Sequence, residues 1–154
     1  MNYRIAIPTY DKPVLFWVKT FSVLEHYNTP HNIIDVFVEN ENQLNQYKLQ
    51  GQNNGFNWII TNTKGIMEKR NFIRYYYHSE CYCKYVFCMD DDLENVRTLG
   101  GDLHPSLDEI IKRGFETAEK ENASMWGITP SKNTFFLREG YSTNLNYIMG
   151  AFHG

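Results

Sequence analysis

Residues 85 to 92 read Tyr85-Val86-Phe87-Cys88-Met89-Asp90-Asp91-Asp92, five apolar residues running straight into three carboxylates. The apolar part is too short for a helix and is rich in aromatic and β-branched types, the composition of a strand. Its apolarity is continuous rather than alternating, which predicts burial on both faces, as in a parallel sheet. Three upstream stretches share this character: Ile5-Ala6-Ile7, residues 33–38, and Trp58-Ile59-Ile60. Longer segments of helical period separate them. That alternation predicts an α/β fold, a mostly parallel sheet crossed over by helices.

The helices carry their own signals. Val14, Trp17, Val18, Phe21 and Leu24 form one stripe, with Asp11 as the expected N-cap and Pro13 in the first turn. A polar helix is expected over 42–49, with Gly51 supplying a left-handed cap, and a third over 66–79. Ser106-Leu107-Asp108-Glu109 has capping-box spacing, and Leu107, Ile110, Ile111, Phe115 and Ala118 share the face that follows it. Residues 124–128 and 134–137 read as further short strands. Residues 146–152 read as an apolar strand or helix that runs to the end without a polar tail, as if the chain were cut inside a larger unit. With no internal repeat or low-complexity linker, residues 1–154 read as a single domain.

Composition narrows the partners. The net charge is −3 and the pI is near 5.9, so no broad positive field gathers nucleic acid, and no Lys/Arg block suits an anionic membrane. No apolar run approaches the roughly 20 residues of a membrane span. The Met1-Asn2-Tyr3-Arg4 start is not a signal-peptide core, which predicts a cytoplasmic protein. Three cysteines at 81, 83 and 88 are an odd number and do not make a disulfide framework. His78, Cys81, Cys83 and Cys88 hold enough donors for zinc, but Cys81-Tyr82-Cys83 is tighter than the usual spacing, so free thiols are expected. The 11 Tyr, 10 Phe and 3 Trp are enough to fill much of a core, and Trp17, Trp58 and Trp126 are read as part of it.

Ligands of open parallel sheets bind outside the carboxyl ends of the strands, where loops and helix N-termini converge. Chemistry is therefore sought just after each strand. The four exits are Pro8-Thr9-Tyr10-Asp11, Glu39-Asn40-Glu41-Asn42, Thr61-Asn62-Thr63-Lys64-Gly65 and Asp90-Asp91-Asp92. Three successive carboxylates repel one another unless a cation or solvent relieves them, and their oxygens suit Mg²⁺ or Mn²⁺. In an extended chain Asp90 and Asp92 point one way and Asp91 the other. A calcium-binding helix-loop-helix site is disfavoured, since the triplet is contiguous and lacks the central Gly. Lys64 and Gly65 precede a helix, where free N–H groups favour phosphate, and Arg70 stands about one and a half turns in, able to reach a diphosphate.

Taken in order, Ile5-Ala6-Ile7-Pro8-Thr9-Tyr10, then Glu39-Asn40, then Gly65 with Arg70-Asn71, then Phe87-Cys88-Met89-Asp90-Asp91-Asp92, the chain resembles the nucleotide-binding half of GT-A-fold glycosyltransferases, particularly those similar to family 2, over residues 3 to about 100. The resemblance implies a GT-A-like, Rossmann-like domain that binds a UDP- or GDP-sugar. It further implies that Pro8, Thr9, Tyr10 and Glu39 border the nucleoside, that Lys64 and Arg70 lie near the nucleoside or its phosphates, and that Asp91 belongs to the nucleotide site. Asp90 would bind ribose or metal, and Asp92 would be the principal ligand of Mn²⁺ or Mg²⁺. A bound divalent ion would stabilise charge on the leaving diphosphate, and an inverting enzyme would need a base for the acceptor hydroxyl of a glycan or other alcohol. Downstream carboxylates from 108 to 121 decorate a helix surface, leaving Glu139 and His153 as the candidates. Two alternatives stand beside this: a nucleotide-sugar-binding module that has lost its acceptor machinery, and a sugar nucleotidyltransferase, disfavoured because residues 8–13 contain no Gly.

Overall fold

The computed structural model describes residues 1–51, 55–129, 133, 137–143 and 152–154. Its centre is one sheet of β1 (Arg4–Pro8), β2 (Ile34–Val38), β3 (Asn57–Ile60), β4 (Val86–Met89) and β5 (Phe152–His153), in the order β3-β2-β1-β4-β5. The first four strands are parallel and β5 runs antiparallel to β4. All five residues of β2 are buried, as expected of a central strand covered on both sides.

Helices cover both faces. α1 (Pro13–Leu15), a π-helical turn (Phe16–Thr20) and α2 (Phe21–His26) run on without a break. With α3 (Glu41–Gln50) and α5 (Leu107–Lys120) they pack on the face formed by Ile5, Ile7, Ile34, Val36, Val38, Phe87 and Met89. α4 (Gly65–Tyr75) continues into a second π-helical turn, Tyr76–Glu80. Ile73 and Tyr77 from that run pack against Ala6 and Phe37 on the opposite face, with Cys81, Cys83 and Cys88 alongside as free thiols. The strand side chains therefore alternate between two apolar layers, as the pleat requires.

Several expectations are corrected in detail. Asp11 is not the N-cap of α1: it adopts φ +50, and Lys12 precedes the helix without a side-chain cap. Val14 and Val18 are 59% and 65% exposed, while Phe16, Thr20 and Leu24 are fully buried. The wider π turn rotates the helix relative to the 3.6-residue period, so the inward row is spaced by fours. Gly51 is extended rather than left-handed. What excludes a side chain there is packing, since a Cβ would overlap the Trp17 indole. Trp17 and Trp58 belong to an aromatic cluster with Phe16, Tyr47 and Phe56, and Trp126 stacks on Phe87 at 5.7 Å.

Ser106 caps α5, its hydroxyl accepting the Glu109 N–H at 3.1 Å, but the reciprocal half of the capping box is replaced, since the Ser106 N–H donates to His104 Nδ1 at 3.2 Å. Residues 124–128 form no named strand, although Gly127 bridges to His153. The 134–137 and 146–152 segments fall largely outside the described residues, apart from Leu137 and Phe152. Among the described residues no helix is long and apolar enough to cross a membrane.

A buried polar network ties the amino ends of the strands. Asp35, 1% exposed, accepts from Arg4 Nε at 2.7 Å, from the Arg4 Nη2 group, from the Tyr77 hydroxyl at 2.6 Å and from Asn57 Nδ2 at 3.0 Å. Asp35 stands in register with Ala6 and, through it, with Cys88, and none of its partners is a residue of the acidic exit.

Candidate functional site

Strand order reverses beside β1. The chain proceeds outward from β1 to β2 to β3, then returns to lay β4 on the other side of β1. In open α/β sheets the crevice at such a reversal, outside the carboxyl ends of the two diverging strands, is where ligands bind. Here those two ends are Pro8-Thr9-Tyr10 and Asp90-Asp91-Asp92.

The acidic exit is a turn. β4 ends at Met89, and Asp91 and Asp92 lie in the turn that follows, so their separation comes from the turn and not from extended alternation. Each carboxylate has a different donor. Arg70 Nη2 reaches Asp90 Oδ1 at 3.1 Å, the Tyr10 N–H donates to Asp91 Oδ2 at 3.2 Å, and Lys12 Nζ reaches Asp92 Oδ2 at 3.2 Å. Asp91 is 6% exposed, and burial pushes its carboxyl above the ordinary aspartate range, with the neighbouring Asp92 and Asp90 charges adding to the shift. The side chains of Asp90 and Asp92 are partly open, 33% and 40% exposed. The Asp92 hydrogen bond, followed by the charges of Asp91 and Asp92, holds the Lys12 ammonium above the usual lysine range.

The turn is fastened from α1–α2. Thr20, delivered inward by the π-helical turn, donates its hydroxyl to the Asp90 carbonyl at 2.8 Å and accepts the Leu93 N–H at 2.9 Å.

The β1 exit is equally constrained. Thr9 is fully buried, and both its N–H and its hydroxyl donate to the Phe37 carbonyl at 3.0 Å. Its own carbonyl accepts from the ammonium of Lys69, a fully buried residue of α4. Tyr10 is half exposed, with its ring centroid 5.8 Å from Lys69 Nζ. At the β2 exit, the Glu39 N–H donates to Gln43 Oε1 and the Asn40 side chain caps α3 by accepting the Gln43 N–H, both at 3.0 Å. The Asn62 N–H donates to the Glu39 carbonyl at 2.8 Å, which joins the β2 and β3 exits.

Of the residues singled out from sequence, Pro8, Thr9, Tyr10, Arg70, Asp90, Asp91 and Asp92 are gathered at the β1/β4 crevice. Glu39 flanks it at the neighbouring strand end. Lys64 is the exposed N-cap of α4, and its N–H donates to Glu68 Oε2 at 2.8 Å, so a carboxylate of the chain occupies that helix end. Glu139 lies in an exposed bend. His153 pairs through its backbone with Cys88, two residues before Asp90. Among the described residues no group of three or more His, Cys, Asp or Glu side chains is arranged to hold a metal ion.

Three residues of the crevice, Lys12, Thr20 and Lys69, escaped the sequence reading. Two carried a signal. Lys69, Ile73 and Tyr77 are spaced by fours on the inward side of α4 and its π turn, so a lysine stands where the period calls for an apolar residue. Thr20 has the same place between Phe16 and Leu24. No family model matches the chain, and no curated protein or solved structure matches it.

Proposed function

We propose that the chain is a GT-A-like, metal-dependent glycosyltransferase domain that transfers a sugar from a UDP- or GDP-sugar to a glycan or other hydroxyl acceptor. The observation that carries this reading is the coincidence of three things at one sheet reversal: a carboxylate triplet, two flanking cations, and a half-exposed aromatic loop. A nucleoside diphosphate needs all three, since its phosphates call for cations and positive donors and its base for an apolar wall.

The donor set suits a hard divalent ion in chemistry, being carboxylate oxygens, two of them on partly open side chains. Asp90 and Asp92 would hold Mn²⁺ or Mg²⁺, which when bound supplies Lewis-acid stabilisation of the leaving diphosphate. The chain's own groups do the rest. Arg70 and Lys12, now paired with Asp90 and Asp92, exchange those carboxylates for phosphate oxygens when the nucleotide arrives, so charge is balanced before and after binding. The Tyr10 N–H keeps the buried Asp91 carboxyl oriented, and Glu39 borders the nucleoside from the β2 exit. Glu139 and His153 stay the candidates for the acceptor base.

Calorimetry with UDP and GDP, with and without Mn²⁺, followed by an assay of sugar-nucleotide hydrolysis, tests the proposal. Metal-dependent nucleotide binding with slow hydrolysis is the expected result. Binding with neither hydrolysis nor transfer would favour a binding module, and no binding would reject both.

A further inference from the structure

Lys69 is a fully buried lysine, and burying an ammonium is costly unless charge and hydrogen bonds compensate. The compensation comes from separate strand exits. Its ammonium donates to the Thr9 carbonyl after β1, faces the Tyr10 ring on the same loop, and feels the charges of Glu39 after β2 and Asp91 after β4. The lysine itself belongs to the helix that follows the β3 exit. The exits of β1, β2 and β4 thus share one internal cation carried by the helix that follows β3, although the inward row of α4 otherwise offers an apolar position there.

We propose that Lys69 is a positioning residue for the nucleoside end of the crevice, holding the Thr9-Tyr10 loop and the Glu39 and Asp91 carboxylates in mutual register. This rests on the nucleotide-binding reading above. Lys69 has no surface open to solvent, so it acts through those residues and not by touching the ligand. The diphosphate end, built from Asp90, Asp92, Arg70 and Lys12, has its own anchors in Thr20 and the two ion pairs. The two ends are therefore separable by mutation.

The test compares UDP or GDP with inorganic pyrophosphate, each with Mn²⁺, on the wild-type chain and on Lys69→Met. Wild type is expected to bind the nucleotide more tightly than pyrophosphate. Lys69→Met is expected to lose at least about tenfold in nucleotide affinity while pyrophosphate affinity stays within about twofold. A general loss of structure would weaken both ligands alike, which a positioning role does not. Lys69→Gln, which keeps a donor for the Thr9 carbonyl without the charge, covers the case in which the Met variant fails to fold, and the same selective loss is expected of it. Retention of the wild-type preference in a folded variant, an equal loss for both ligands, or failure of both variants to fold overturns the proposal. Absence of any nucleotide binding by the wild type overturns instead the reading on which it rests.

Discussion

The Thr20 hydroxyl donates to the Asp90 carbonyl oxygen at 2.8 Å and accepts the Leu93 N–H at 2.9 Å, so one buried side chain closes both ends of the acidic turn. The π-helical turn Phe16–Thr20 makes this reach possible by bringing Thr20 into the inward row. Thr20→Val keeps the shape and removes both bonds. Leaving buried backbone groups unpaired costs about 1–3 kcal/mol, so urea denaturation should show a loss in that range. Mn²⁺-dependent nucleotide binding should weaken along with it, whereas Thr20→Ser should restore both.

Arg70 and Lys12 behave differently, because their ion pairs with Asp90 and Asp92 are half open to solvent. Exposed pairs are worth roughly 0.2–1 kcal/mol, so Arg70→Met and Lys12→Met should barely move the melting temperature. Nucleotide affinity should nevertheless fall by about tenfold for each, which calorimetry reads directly. A large stability loss with unchanged affinity would mean that the two cations serve the fold.

Much of the architecture is legible in the residues themselves. The four parallel strands are short, predominantly apolar runs, and Ser106 with its capping spacing marks the start of α5, because both signals are local. The phase of the first helix is not legible in the same way. Val14 and Val18 look inward on a regular α-helical wheel, and only the π turn, selected by packing of Phe16, Thr20 and Leu24 against the sheet, turns them to solvent. Gly51 shows the same limit, since its small size answers to Trp17, a residue distant in sequence. At the site, the acidic triplet and Arg70 stand out as charges beside a strand and on a helix. Lys69 is disguised among the solvated basic residues that amphipathic helices normally carry, and its burial follows from three loops meeting above it.

Asp91 gives a pH signature. Burial raises its pKa in the folded chain above the unfolded value, so the folded state holds that proton more tightly. Its contribution to stability is greatest below the unfolded aspartate value and is lost as pH rises through the folded one. Asp91→Asn keeps an acceptor for the Tyr10 N–H and has no charge to bury. From about pH 4 upward the melting temperature of Asp91→Asn should therefore gain on wild type until Asp91 has ionised in the folded chain. A constant difference across that window would contradict the assignment.

At the opposite end of the sheet, Asp35 should matter for stability alone. Asp35→Ala strands Arg4, the Tyr77 hydroxyl and Asn57 around an empty position. Removing one partner of a buried ion pair costs about 3–5 kcal/mol, and because Arg4 reaches solvent the lower end of that range is expected. Chemical denaturation measures it, and nucleotide affinity of the folded fraction should be unchanged.

The most direct measurement is the Mn²⁺ dependence of UDP and GDP binding in wild type and in the Asp90→Asn, Asp92→Asn double variant, by titration calorimetry. Wild type should bind one of the two nucleotides at least about tenfold more tightly with Mn²⁺ than without, and the double variant should bind equally weakly in both conditions while melting within a few degrees of wild type. Nucleotide binding that ignores the metal in wild type, or metal dependence that survives the loss of both carboxylates, would contradict the account.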